Sequence, residues 1–192
     1  MGSSLSWIAV KGRTSQAVNT ALGLLPTGNK EDFPESNLSA AQLPTGFYLV
    51  VFNRDELSSG MLEKFSQAFP LLYGFVEEHV MFSTVAAWED GKEVWSIVHD
   101  AQKGILDLEV KGTPPENFTA IRDRLLAQQN DEGVEDPEVD HVFDIPVDVA
   151  KELVGFRYDC EIDGMNHGAF EVLKRVHSDS PPWNLFKKLF GK

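Results

Sequence analysis

The strongest constraint on the fold of this 192-residue chain is the stretch Leu71–Gly112, where two runs rich in Val, Phe, Trp and Thr flank Asp90-Gly91. A two-residue type I′ turn needs positive φ at both central positions, and Asp-Gly is among the few pairs that accept it. A turn there sets Glu89 against Lys92, Trp88 against Glu93, Ala86 against Trp95, Thr84 against Ile97 and Phe82 against His99. A second turn near Gln102-Lys103-Gly104 returns Ile105–Val110 as a third antiparallel strand. The predicted unit is a β-meander over about residues 73–111.

Around it the chain reads as α+β with a mainly antiparallel central sheet. Trp7–Val10 is a short strand, and Thr14 or Ser15 caps a helix that Gly23 stops. Residues 25–46, punctuated by Pro and Gly, read as a long surface connection, with one turn of helix at Leu38–Leu43. Phe47–Phe52 is almost wholly apolar, the pattern of a strand covered on both faces. Met61, Leu62, Phe65 and Phe69 form the stripe of a helix that Pro70 ends. Glu116–Gln129 is a second clear helix, Asn130–Asp140 an acidic loop, and Val142–Ile145 a short strand leading into a helix that Gly155 stops. Phe170–Arg175 is the last strand. Three to four helices are expected over one face of the sheet and its ends. Residues 5–177 read as a single α+β domain, and 178–192 as a linker followed by an amphipathic tail of Trp, Leu, Phe and Lys.

Charge narrows the function classes. Thirty acidic residues against 17 basic ones give a formal net charge of −13, so no nucleic-acid footprint is expected, because phosphate binding needs clustered cations. The single Cys fits a reducing compartment, and neither a membrane-spanning run nor a secretory leader is legible, so a cytoplasmic protein is expected. The phosphate-binding, dinucleotide, nucleophile-elbow and H-E-x-x-H motifs are missing, and no cofactor is implied.

Two groups of residues remain as candidate sites. Glu77, His79, His99 and Asp100 are the polar set of the meander and the place where acid–base or metal chemistry could be built. Strict alternation along strands sends the two histidines to opposite faces, which argues against a shared ion. Cys160 lies between Asp159 and Glu161, whose charges oppose thiolate formation. The second group is a surface for a partner: Asp131, Glu132, Glu135, Asp136, Glu138 and Asp140 in the acidic loop, and Trp183, Phe186 and Phe190 in the tail.

The reading these features favour is a non-catalytic, acidic binding protein that meets a basic protein partner, in its most concrete form an immunity-type or inhibitor protein. The alternatives are a hydrolase or metal-dependent enzyme built on the meander, and an adaptor working through the tail. The tail's three lysines would also suit a membrane surface.

Overall fold

A computed structural model describes residues 2–135 and 137–176. Nine strands form one antiparallel sheet: β1 (Ser4–Lys11), β2 (Leu24–Glu31), β3 (Leu38–Gln42), β4 (Phe47–Asn53), β5 (Leu71–Glu77), β6 (Phe82–Glu89), β7 (Lys92–Asp100), β8 (Glu109–Gly112) and β9 (Phe170–Arg175). Their spatial order is β2-β9-β3-β4-β1-β5-β6-β7-β8. Four helices accompany them: α1 (Ser15–Leu22), α2 (Ser59–Ser66), α3 (Phe118–Glu132) and α4 (Asp144–Val154). The fold is α+β, as the sequence implies.

The helices cover both faces, not one face and the ends. Val18 of α1 and Leu62 and Phe65 of α2 pack with Ile8, Val10, Tyr48, Val50 and Tyr73. On the other face Phe118, Ile121 and Leu125 of α3 and Ile145, Val149 and Val154 of α4 pack with Trp7, Ala9, Leu49, Val51, Val85 and Ile97. Alternate residues of the same strands feed the two cores, which is why Phe47–Phe52 carries no polar alternation. Trp7 lies flat across β5 because its partner there is Gly74; a Cβ on that residue would stand 2.6 Å from the indole nitrogen and closer still to the ring carbons.

The hairpin closes at Asp90-Gly91, with φ of 50° and 76°. Glu89 and Lys92 face each other, as do Trp88 and Glu93, but the register then slips by one. Val94 is an extra residue in β7, so Ala87 pairs with Trp95, Thr84 with Val98, Ser83 with His99 and Phe82 with Asp100. A bulge of this kind leaves no mark on apolar alternation when both strands are apolar on both faces. The third strand begins later than expected, as β8 at Glu109, after a looped connection through Leu108.

Residues 25–46 are not a loop. They hold β2, an exposed edge strand that tolerates Pro26 and Gly28 through a register break between Pro26 and Lys30, and β3, a buried strand of small residues. β9 runs between these two strands. Val142–Phe143 is likewise no strand but the turn into α4, with Pro146 in the first helical turn.

Candidate functional site

The structure separates the polar residues of the meander. His79 lies on the turn after β5, with its ring 62% exposed and Nδ1 2.6 Å from Glu77 Oε1. A hydrogen bond from the Ser4 side chain and then the His79 contact hold the Glu77 carboxyl below its usual range. Asp100 pairs loosely with Lys103 at 3.6 Å. His99 is fully buried beneath α3 and α4, with Nδ1 2.7 Å from the Asp107 carbonyl oxygen and Nε2 2.9 Å from Asp140 Oδ2. Both of its ring nitrogens are therefore committed, and it shares nothing with His79. Among the described residues no three His, Cys, Asp or Glu side chains converge as a metal site would require.

Asp140 belongs to the acidic stretch in sequence but not to its surface. Its side chain is 6% exposed. Oδ2 meets His99 while Oδ1 accepts the backbone N–H groups of Val142 and Phe143, both at 3.0 Å. Gln129, buried on α3, fastens the same loop from the other side: Nε2 donates to the Gly133 carbonyl at 2.9 Å and Oε1 accepts the His141 N–H at 2.7 Å. The loop is thus pinned from beneath at both ends.

What stays outward is the set Asp131, Glu132, Glu135 and Glu138. Asp136 and the tail residues Trp183, Phe186 and Phe190 lie outside the described residues. Between Arg124 and Lys151 the sequence has no Lys or Arg. The inner acids of that span are matched by cations: Asp144 and Asp148 bind Arg157 at 2.8 and 2.5 Å, and Asp148 also binds Arg124 at 2.7 Å. Burial raises the Asp144 carboxyl despite Arg157. The outward four make no ion pair among the described residues. Asp131 and Glu132 moreover close α3, whose last turn holds no basic residue. Carboxylates there face the negative pole of the helix dipole, at a cost of about 0.3–1 kcal/mol each.

A second surface feature was not legible in the sequence. At the β5–β6 end where α3 and α4 do not reach, the sheet bears an open apolar trough of about 340 Å³. The registers place Leu49, Ala9, Leu72, Ala87 and Trp95 in one cross-strand row, and the two alanines leave the hollow. Phe47 stands at one end with Lys11 Nζ 5.0 Å above its ring, and Glu89 lies on the rim. Such a hollow arises only when small residues of different strands come into one row, and the displaced register hid that row.

Cys160 is exposed as a residue, but partial desolvation of its thiol and then the neighbouring Asp159 charge push it above its ordinary value. No helix among the described residues is long and apolar enough to cross a membrane. Comparison with known proteins gives no matching family model, no matching curated protein and no matching solved structure.

Proposed function

We propose that this is a non-catalytic binding protein whose acidic surface, at the C-terminal end of α3 and the loop after it, receives a basic protein partner. The observation that carries the reading is the division of labour among the acids between Arg124 and Lys151. Asp140, Asp144 and Asp148 have their carboxylates engaged by partners within the fold, whereas Asp131, Glu132, Glu135 and Glu138 are exposed and form no ion pair among the described residues. Two of them sit at the pole of α3 where their charge lowers stability; Glu132 also accepts the Glu138 N–H at 3.2 Å, whereas Asp131 makes no hydrogen bond among the described residues. Gln129 and Asp140 hold the two ends of the loop, at Gly133 and at His141–Val142, which lowers the ordering cost of association. In its finer form the proposal is an immunity-type or inhibitor protein of the cytoplasm, neutralising a basic partner by covering it.

The test is affinity capture from the producing cell with the tagged wild type and with the fourfold variant D131N/E132Q/E135Q/E138Q. A basic protein retained by the wild type, released by raised salt and lost from the variant is expected. Retention of the same partners by both proteins would sink the proposal.

A further inference from the structure

The clasp beneath the acidic loop is a buried titratable pair that the proposed function does not use, and its hydrogen-bond count does not balance for the ordinary protonation states. A neutral imidazole has one N–H and one lone pair. His99 nevertheless lies between two acceptors, the Asp107 carbonyl oxygen at 2.7 Å and Asp140 Oδ2 at 2.9 Å. A carbonyl cannot donate. An ionised carboxylate cannot either, and the other Asp140 oxygen is already taken by the Val142 and Phe143 N–H groups. With neutral His99 and ionised Asp140, one nitrogen lone pair must point at an oxygen lone pair at a fully buried ring. The contacts close only with one additional proton in the Nε2···Oδ2 contact.

We propose that seating of the acidic loop on the sheet takes up one proton, shared between His99 and Asp140, so that the loop is a proton-dependent clasp. The inference rests on the reading above only in what the clasp serves; its physics concerns the free protein. Asp107 meets His99 through its backbone carbonyl, and its side-chain Oδ2 is buried without a partner. His141 follows Asp140 in the loop, its backbone N–H given to Gln129. Ser83 of β6, directly opposite His99, is uncharged and gives its hydroxyl hydrogen to the Phe143 carbonyl at 2.7 Å. α3 contributes the uncharged Gln129 to the same loop. Asp100 follows His99 on β7, so its side chain points to the other face, with Lys103.

The sign follows from linkage. On this proton count the seated loop holds one proton more than a released one whose free imidazole is neutral above about pH 6.5, so rising pH favours release. For one proton the seated-to-released ratio falls about tenfold per pH unit above that value.

Amide hydrogen exchange of Val142 and Phe143 reads the clasp, corrected for intrinsic exchange and referred to amides of β4. The expected result is protection that falls with rising pH between about pH 7 and 9, approaching tenfold per unit. In D140N, the Asn carbonyl still accepts the two N–H groups and its NH₂ donates to Nε2 of a neutral His99. The loop then seats without the extra proton, and its protection becomes flat with pH. Ring ¹⁵N spectra of the seated wild type should show the shared proton on Nε2 or moving between Nε2 and Asp140, and in D140N a proton on Nδ1 alone. Wild-type protection flat with pH, or an unchanged slope in D140N, overturns the proposal. Should D140N not fold, the wild-type slope and ring spectrum decide alone. Because no partner enters these measurements, a negative capture experiment leaves their outcome intact.

Discussion

Replacing Gly74 by Ala tests the packing of the sheet at its most crowded crossing. A Cβ at position 74 meets the Trp7 indole within 2.6 Å, far inside van der Waals contact. Trp7 has nowhere to go: it is 4% exposed, and the Phe156 ring lies edge-on at 6.1 Å and 79°. Overpacking of a filled core costs about 1–3 kcal/mol. Loss of a strand glycine returns about 0.5–1 kcal/mol, since φ at 74 is not in the left-handed region. The net expectation is a destabilisation of about 1–2 kcal/mol, or a Tm lower by roughly 2–8 °C for a chain of this size. Urea unfolding followed by tryptophan fluorescence measures it, with the slope of the transition unchanged. Gly60 in α2 has nothing within 4 Å of its would-be Cβ, so G60A is the matched control and should gain about 0.5–1 kcal/mol. In W7L/G74A the two losses should not add, because the smaller side chain admits the methyl group. A G74A midpoint at or above the wild type would refute the account of why a glycine stands there.

Three further outcomes follow from the polar contacts. Asp144, raised by burial, stabilises the fold at low pH and loses that contribution as pH rises through its folded value, so at pH 7 D144N should be neutral or stabilising. Burial also pushes on Asp159, but Arg157 more than offsets it, and the lowered carboxyl stabilises above its ordinary value of 3.8; D159N should therefore destabilise at pH 7, and urea midpoints showing the reverse order would contradict this. Cys160 should react slowly with iodoacetamide near pH 7 and faster in D159N, because burial and that carboxylate suppress the thiolate; rapid stoichiometric labelling of the wild type would count against it.

The sequence made the local chemistry legible and left the long-range geometry hidden. Asp90-Gly91 announced its turn, and Thr14, whose hydroxyl accepts the Ala17 N–H at 3.2 Å, announced the start of α1 just as Gly23 did its end. Phe47–Phe52 declared a central strand through its lack of alternation. The one-residue bulge at Val94 was invisible because Val94 and Trp95 are adjacent apolar residues that either register accommodates, and it displaced every pairing from Ala87 to Phe82. β2 and β3 were missed for opposite reasons: β2 carries Pro and Gly because it is an exposed edge, and β3 is built of small residues because it is buried. Of the proposed surface, the acids were readable, but that Asp140 turns inward to His99 depends on a contact spanning 41 residues.

The late arrival of β9 has a bearing on how the molecule is made. β2 and β3 are separated by the width of a strand whose residues come more than a hundred positions later, so β3 gains its second neighbour and the edge strand β2 its only one when nearly the whole described chain exists. The block from β3 through β4 and β1 to β8 is complete well before that point, with the outer edge of β3 still open. A nascent or clipped chain ending before Phe170 would leave β3 with an open edge and β2 with no strand beside it. Such a molecule would be a ready acceptor for the β9 of another copy.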